Sequence, residues 1–376
     1  MPQFVKNDII SLVGDAPLHD LAESVGPNLR LGELLDGDGS WKDVGLGYAT
    51  AAGAPALRAA IADLHGVDAD DVVVTVGGIH ALFLLGYILC GRGEEAVIAT
   101  PVFPPARDTL VSVGARLRTL PLTFDDHYQL DPEKLTRLLS PATRLVSLAS
   151  PQNPSGVAIP HAALAKVLSA MTARCPDAFL LLDETYRCAV YGDASPLPSA
   201  ATMSHQVVVT GSLSKCHGVP GVRIGWAITR NAELREQLIV GKFGTVICNS
   251  AVDELLGLRA LRQADEIIGA RRRMLSNGLA QTQAWVERNA KFVEWVRPDA
   301  GALCCVRLRP DVFDNAAVRR FYVGLSHRGA RVGDGGWFGE EPRVFRLGFG
   351  LLAPGELDPA LGVLTAALHQ ARLKVA

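Results

Sequence analysis

Short runs of apolar, mostly β-branched residues alternate with amphipathic stretches through the middle of the chain. The apolar runs predict strands at residues 72–74, 96–98, 145–148, 179–182, 207–209 and 223–228. The amphipathic stretches predict helices at residues 56–64, 78–89, 105–113 and 162–173. This alternation predicts an α/β fold with a mostly parallel sheet, and the fully apolar strands indicate that both faces of the sheet are covered.

The pattern changes after about residue 250. Residues 253–287 are rich in Ala, Leu, Glu and Arg and predict a long helical region. Strand-like segments follow at residues 301–308 and 343–349, and the last predicted helix ends near residue 373. This part of the chain therefore predicts a smaller α+β unit.

The length of the chain also favours two domains. It has 376 residues, 48% of them hydrophobic, and chains of this size usually divide their apolar residues between two cores. We predict a large domain over residues 45–250. Residues 1–44 and 251–376 together are predicted to form the small domain.

Charge and cysteine usage exclude several classes of protein. The formal net charge is −2 and the basic residues form no stripe, which argues against a nucleic-acid partner. The seven cysteines contain no CxxC pair, as expected of a reduced cytoplasmic protein, and no His, Cys or carboxylate cluster has metal-ligand spacing. The longest apolar run, residues 81–90, is too short to span a membrane, and the N-terminus does not resemble a signal peptide.

Polar and aromatic residues follow several of the predicted strands. Small molecules bind at this position in open α/β sheets, outside the carboxyl ends of the strands. The residues found there are Gly77, Gly78, Phe103, Asn153, Asp183, Tyr186, Ser212, Ser214 and Lys215. Each has an ordinary structural explanation when taken alone. Their shared position at one edge of a sheet favours a binding site.

The segment SLSKCHGVPGVRIG, residues 212–225, resembles the lysine signature of the fold type I pyridoxal phosphate enzymes of aminotransferase class I/II. In that family, Ser-x-Ser-Lys is followed by an Arg that has a Gly two residues before it and another two residues after it. The matching residues here are Ser212, Ser214, Lys215, Gly221, Arg223 and Gly225. GYATAAGAPALRAAIA, SPQNPSG, LLLDETY and VFRLGFG match further motifs in the family's order, so the resemblance runs from about residue 45 to the C-terminus.

The resemblance implies pyridoxal 5'-phosphate as the cofactor, and a large domain with the mostly parallel, seven-stranded type of sheet of aspartate aminotransferase. Lys215 would form a Schiff base with the cofactor aldehyde and then act as general base and acid at the substrate Cα. Asp183 would pair with the pyridine nitrogen and keep it protonated, so that the ring can accept electrons. Tyr186 would be the third catalytic residue.

Other family positions would hold the cofactor ring and the substrate. Asn153 and Tyr186 would hydrogen-bond the phenolic oxygen of the ring, and Phe103 would stack on its face. Arg346, in VFRLGFG, matches the family arginine that binds the substrate α-carboxylate, with Asn153 beside it. Arg343 fits that position less well, because its spacing to the following apolar residues differs.

The cofactor phosphate would be bound at a helix N-terminus. The amides of Gly78 and Ile79, the hydroxyl of Ser212 and the guanidinium of Arg223 would hold it. Many relatives have a hydroxyl residue where this chain has Ile79, so only the amide of Ile79 can serve. Tyr48 matches the family tyrosine that reaches the phosphate of the neighbouring subunit, which implies a homodimer with shared active sites.

The resemblance implies an aminotransferase that acts on an α-amino acid and a 2-oxo acid. The same fold also supports a second interpretation, a lyase or cyclase that performs β- or γ-elimination or replacement on a specialised amino acid. The lysine, aspartate and arginine would serve either reaction. The N-terminal residues 11–35 do not match the segment that often lines the substrate side-chain pocket in relatives, so no residue is assigned to the substrate side chain.

Overall fold

The computed structural model describes residues 5, 7–12, 16–35, 44–353 and 355–372. The strands are β1 (His19–Leu21), β2 (Val72–Val76), β3 (Glu95–Thr100), β4 (Arg116–Pro121), β5 (Thr143–Ala149), β6 (Phe179–Asp183), β7 (Val207–Ser212), β8 (Ile224–Thr229), β9 (Val293–Val296), β10 (Leu303–Leu308), β11 (Ala330–Asp334) and β12 (Val344–Gly348). The α-helices are α1 (Leu31–Leu34), α2 (Pro55–His65), α3 (Gly77–Leu89), α4 (Pro104–Ser112), α5 (Pro132–Thr136), α6 (His161–Arg174), α7 (Ala232–Val246), α8 (Ala251–Arg262), α9 (Ala264–Arg288), α10 (Asn315–Ser326), α11 (Gly335–Phe338) and α12 (Leu357–Arg372). Short 3₁₀ helices lie at Asp8–Leu12, Ala69–Asp71 and Pro220–Val222.

The larger sheet has seven strands within the described residues, in the spatial order β2-β8-β7-β6-β5-β3-β4. All of its neighbouring strands pair in parallel except β8, which is antiparallel to both β2 and β7. The predicted α/β fold with a mostly parallel, seven-stranded sheet is therefore confirmed. Because the parallel strands point the same way, their carboxyl ends form one edge of the sheet.

Both faces of this sheet are buried, as the apolar strands predict. Along β6, Leu180 and Leu182 belong to the hydrophobic cluster on one face, and Leu181 belongs to the cluster on the opposite face. All three side chains are 3% exposed or less. Burying one such side chain contributes roughly 1.5–3 kcal/mol, so the two clusters fix the positions of the strand ends.

Edge strand β4 was not among the predicted strands. Its sequence, RLRTLP, alternates charged and apolar residues, and only Leu120 of the six is buried. Charged side chains protect an exposed sheet edge from pairing with other chains, and they also weaken the apolar pattern that identifies strands. Strand β4 was therefore not predicted because it lies at an exposed edge, where charged residues interrupt the apolar pattern.

The smaller sheet has the order β1-β11-β12-β10-β9 among the described strands. Strand β1 pairs in parallel with β11, so the N-terminal part of the chain joins a sheet formed by the C-terminal part. The two strands predicted here correspond to β10 and β12. The predicted helical region 253–287 is divided at Gln263 into α8 and α9. The predicted domain boundaries stay a prediction.

Candidate active site

The sheet topology places several predicted residues at one edge. Strand β6 ends at Asp183 and β7 ends at Ser212, and Lys215 follows in the turn after β7. Strand β8 runs in the opposite direction, so its first residue lies beside the last residues of its neighbours. Arg223, which directly precedes β8, is therefore brought to the same edge as Asp183 and Lys215.

Gly77 and Gly78 begin helix α3 at this edge and lie against Arg223 and Gly225. The amide of Gly77 donates to the carbonyl of Arg223 at 2.9 Å. A Cβ on Gly77 would lie 2.3 Å from Nη2 of Arg223, and a Cβ on Gly225 would lie 2.3 Å from the backbone of Gly77 and Gly78. Only glycines permit this approach. Free helix N-terminal amides beside a guanidinium form a cradle for an anion such as a phosphate.

The remaining residues predicted to hold the phosphate differ in exposure. Ser212 is buried and lies near Gly78, since a Cβ on Gly78 would be 3.6 Å from its Cβ. Ile79 has 45% of its surface exposed, and Tyr48 has 84% exposed. The ring of Tyr48 thus lies on the surface of the single chain.

The carboxylate of Asp183 accepts hydrogen bonds from the described residues at only one of its two oxygens. Its Oδ1 accepts hydrogen bonds from the amide of Thr185 at 3.0 Å and from its hydroxyl at 2.6 Å. Among the described residues no hydrogen bond reaches Oδ2. Burial raises the pKa of Asp183, and the bonds from Thr185 oppose that effect. A cation placed at Oδ2 would stabilise the ionised form, as a protonated pyridine nitrogen does.

Lys215 presents an amine with one weak contact. Its Nζ donates to Oγ of Ser24 at 3.4 Å. Burial lowers the pKa of Lys215 to about 8; the positive charge of Arg346 also lowers it, and the negative charges of Glu23 and Asp183 oppose the decrease. A larger fraction of the amine is therefore neutral and nucleophilic near neutral pH than for an ordinary lysine.

Ser24 connects Lys215 to Tyr186, and its role was not predicted. The hydroxyl of Tyr186 donates to Oγ of Ser24 at 2.9 Å. Burial raises the pKa of Tyr186 to about 12, so the phenol keeps its proton as a hydrogen-bond donor. Ser24 lies in the N-terminal segment, where no motif of the sequence marks it. Only the contact between residues that are far apart in sequence identifies it.

Arg346 is 2% exposed and lies in the middle of strand β12. Its Nη1 donates to Oδ1 of Asn153 at 2.9 Å, and its Nη2 donates to the carbonyl of Ala22. The guanidinium carbon lies 4.7 Å from the ring centre of Phe338. The Nε atom is buried and has no hydrogen-bond partner among the described residues. A buried guanidinium that retains a free donor is suited to binding a carboxylate.

Phe103 lies between the end of β3 and the start of α4 and is partly buried. It borders the same carboxyl edge of the sheet. The site therefore contains an anion cradle, a carboxylate with a free oxygen, an amine of lowered pKa and a buried guanidinium. These groups fit a cofactor that has a phosphate, a basic ring nitrogen and an aldehyde.

Two classes of site find no support in the described part of the chain. It contains no group of three or more His, Cys, Asp or Glu residues placed to hold a metal ion. None of its helices is long and apolar enough to cross a membrane. The cytoplasmic location stays a prediction from cysteine usage.

Comparison with known proteins supports the same chemistry. The sequence model for aminotransferase class I and II matches residues 42–364. The chain belongs to this family. It is a pyridoxal phosphate-dependent enzyme of the aminotransferase class, as the resemblance predicted.

One curated relative and two solved structures illustrate what this chain is similar to. The arginine–pyruvate transaminase of Pseudomonas aeruginosa is 28% identical over 282 residues, which is 70% of this chain and 68% of that protein. A PLP-dependent aminotransferase from Streptococcus suis shares the fold, with a TM-score of 0.88 at 24% identity, over 98% of this chain and 97% of the other. The PLP-dependent cyclase OrfR has a TM-score of 0.85 at 27% identity, over 98% of this chain and 99% of the other.

Proposed function

We propose that this enzyme transfers the amino group of an α-amino acid to a 2-oxo acid, with Lys215 as the amine that links to the cofactor. The main support for this proposal is that three chemically different groups lie around the same site. These are the amine of Lys215, the carboxylate of Asp183 and the guanidinium of Arg346. Each corresponds to one charge or reactive atom of the cofactor and substrate.

Pyridoxal phosphate, when bound, supplies an aldehyde that links to amines and a ring that accepts the electrons released from a Cα bond. Lys215 is suited to two steps of this chemistry. Its neutral amine is the nucleophile for the aldehyde, and the same Nζ, once free, moves a proton away from the substrate Cα. The hydroxyl of Ser24, 3.4 Å from Nζ, accepts a hydrogen bond that orients the amine.

Asp183 keeps the proton on the ring nitrogen. Its Oδ1 is held by Thr185, so Oδ2 is the oxygen that would remain to pair with the ring nitrogen. An ion pair at about 4 Å in an effective dielectric near 20 gains roughly 4 kcal/mol. That gain offsets the burial that raises the pKa of Asp183, so the carboxylate and the ring cation stabilise each other.

Asn153 and Tyr186 orient the ring, and Arg346 orients the substrate. The phenol of Tyr186 stays protonated, and with the cofactor bound its one proton would turn from Ser24 to the ring oxygen. The side-chain NH₂ of Asn153 would donate to the same oxygen. Arg346 binds the α-carboxylate, and its bond to Asn153 fixes the substrate and the ring relative to each other. Phe103 at the rim covers one face of the ring.

The phosphate is held by groups that lie around the start of helix α3. They are the amides of Gly78 and Ile79, the hydroxyl of Ser212 and the guanidinium of Arg223. Because Gly77 has no side chain, the guanidinium of Arg223 lies directly against the start of α3, beside the amides proposed to bind the phosphate. This anchor leaves the aldehyde end of the cofactor free to meet Lys215.

A homodimer with shared sites completes the proposal. Helices α3 and α7 pack against each other and expose apolar side chains, including Tyr87 at 69% and Phe243 at 59%. Leu46 and Tyr48 are more than 80% exposed. Exposed apolar surface of this kind favours burial by a second subunit, whose Tyr48 would then reach the phosphate.

The dimer is tested by mixing two variants. In a hybrid of Tyr48→Phe and Lys215→Ala subunits, one of the two sites would contain an intact Tyr48 and an intact Lys215. We expect co-refolded mixtures to exceed the mean activity of the two parent variants. Activity equal to that mean would show that Tyr48 serves its own subunit or none.

Transamination is tested by following the nitrogen. An α-amino acid labelled with ¹⁵N is incubated with the holoenzyme and a 2-oxo acid, and the labelled products are identified by mass spectrometry. We expect ¹⁵N in the new amino acid and the release of the donor's own 2-oxo acid. Label found only in free ammonia would refute the transfer reaction.

The cyclase OrfR supports a second candidate function, because its likeness covers almost the whole of both chains. A cyclase or lyase would use the same lysine, aspartate and arginine but would eliminate or replace a group on the substrate side chain. The labelling experiment separates the two reactions. A cyclase would keep the ¹⁵N within a cyclic product and would release no 2-oxo acid.

A further inference from the structure

One carboxylate at the site has no part in the chemistry described above. It belongs to Glu23, which lies between two residues that contact the reacting groups. The carbonyl of Ala22 accepts from Arg346, and the hydroxyl of Ser24 accepts from Lys215 and Tyr186. The backbone of Glu23 is fixed as well, because a Cβ on Gly348 would lie 1.8 Å from its carbonyl oxygen. Glu23 is therefore held in the wall of the active site.

The side chain of Glu23 has no partner in the described part of the chain. It is half-buried, and no hydrogen bond or ion pair there includes its carboxylate. Asp20, three residues earlier, differs in this respect, since its Oδ2 pairs with Nη2 of Arg331 at 2.6 Å. The negative charge of Asp20 is neutralised within the fold, and that of Glu23 is available to a ligand.

The charge of Glu23 acts on the reacting groups. Burial lowers the pKa of Lys215, and Glu23 is the strongest of the charges that oppose this decrease, ahead of Asp183. Burial also lowers the pKa of Arg346, and Glu23 opposes that decrease too. Because Glu23 also lies directly between Ala22, which bonds to Arg346, and Ser24, which bonds to Lys215, its carboxylate is placed near the proposed binding position of the substrate amino group and carboxylate.

The charges of the site can be matched with those of the cofactor and a simple amino acid. Asp183 matches the ring nitrogen, Arg223 matches the phosphate, and Arg346 matches the α-carboxylate. An amino acid with a neutral side chain leaves the carboxylate of Glu23 without a direct ion-pair partner, and only the more distant charges of Lys215 and Arg346 act on it. A partly desolvated carboxylate without a cation is unfavourable, and binding a cation there would remove that cost.

We propose that Glu23 selects amino acids whose side chain carries a positive charge. The substrate class is then the cationic α-amino acids, such as those that end in a guanidinium or an ammonium group. Acidic side chains are excluded by repulsion from the same carboxylate. The inference rests on the proposed function for the placement of the substrate. It goes beyond that function by assigning the recognition of the substrate side chain to Glu23 in the N-terminal segment.

The test uses ligands that bind without reacting. 5-Guanidinopentanoate and 5-ureidopentanoate have the same length and the same carboxylate, and both lack the α-amino group. The first is cationic and the second is neutral. Their dissociation constants for the holoenzyme are measured by titration calorimetry. We expect the guanidino compound to bind about 10- to 100-fold more tightly, as is typical of a partly buried charge pair.

The Glu23→Gln variant should reduce that preference to about threefold or less and leave the affinity for the ureido compound unchanged. Glu33→Gln is the matched control, because Glu33 lies in the same segment but is exposed and bonds to the amide of Arg30. It should keep the preference of the unmodified enzyme.

Two results would overturn the inference. One is equal binding of the two compounds by the unmodified enzyme, a comparison that requires no variant to fold. The other is a Glu23→Gln variant that keeps the full preference for the guanidino compound. That result would show that a different group, such as one from a partner subunit, binds the cation. A failed ¹⁵N transfer alongside a Glu23-dependent binding preference would refute transamination and leave the inference standing.

Discussion

The carboxyl edge of the seven-stranded sheet and the N-terminal segment at residues 22–24 meet at the active site, and they differ in how they are built. On the sheet edge, Asp183 and Ser212 end strands that are paired on both sides. The N-terminal segment follows the three-residue strand β1 and has irregular backbone. Groups proposed to act on every amino acid lie on the sheet edge and, in the case of Arg346, on β12 of the smaller sheet, whereas the carboxylate of Glu23 lies on the irregular segment.

This difference predicts different consequences of substitution. Residues on the sheet edge act on atoms common to all substrates, so their loss should lower the rate for every amino acid. Residues of the N-terminal segment should change the choice of substrate, or the pKa of the amine, with a smaller effect on rate. The predictions below test this contrast in order of expected effect.

The largest effect is expected for Asp183→Asn. Loss of the ion pair with the ring nitrogen, worth roughly 4 kcal/mol, corresponds to about a thousandfold decrease in kcat. The fold should be retained, because the amide oxygen of Asn can accept the same bonds from Thr185. Steady-state transfer rates and circular dichroism measure the two properties. A rate within threefold of the unmodified enzyme would show that the ring nitrogen has another partner.

Arg346→Lys should raise KM for both the amino acid and the 2-oxo acid by about 10- to 100-fold. An ammonium lacks the planar pair of N–H donors that a guanidinium presents to a carboxylate, and the substitution also removes the bond from Nη1 to Asn153. Arg343→Lys is the matched control, since Arg343 lies three residues earlier and bonds to Asn315 at 2.8 Å. Its KM values should be unchanged. Equal effects of the two substitutions would contradict the assignment of the α-carboxylate to Arg346.

The smallest effect is expected for Ser24→Ala, which removes the hydrogen-bond acceptor of Lys215. In the unmodified enzyme, the rate at which the apoprotein captures pyridoxal phosphate should increase with pH, with a half-maximal value near pH 8. The reason is that only the neutral amine of Lys215 reacts and its pKa is lowered to about 8. The acceptor favours the charged amine, so its loss should move the midpoint to lower pH by about half a unit. A midpoint that moves to higher pH would contradict this role for Ser24.

The sequence predicts the sheet edge better than the N-terminal segment, for a physical reason. Lys215 and Arg223 are separated by a fixed turn, so their spacing is a local property that a motif records. Asp183 ends an apolar run that itself predicts a strand. The topology then follows from a few regular elements, and the structure brings these predicted residues together.

Ser24 and Glu23 have no such local signal. Ser24 meets Tyr186 across 162 residues of sequence, and its position depends on the pairing of β1 with β11. Strand β1 is three residues long and has no apolar alternation that would predict it. Edge strand β4 was missed because its charged residues weaken the apolar pattern. What the sequence leaves open is decided by tertiary contacts and by exposure.

The central claim is that Lys215 is the amine that links to the cofactor. The competing amine among the described residues is Lys242, which is buried and has no hydrogen-bond partner there; burial lowers its pKa to about 8 as well. Borohydride reduction of the holoenzyme, proteolysis and mass spectrometry would locate the attached cofactor. We predict the added mass on the peptide that contains Lys215, and its presence on Lys242 instead would contradict the proposed active site.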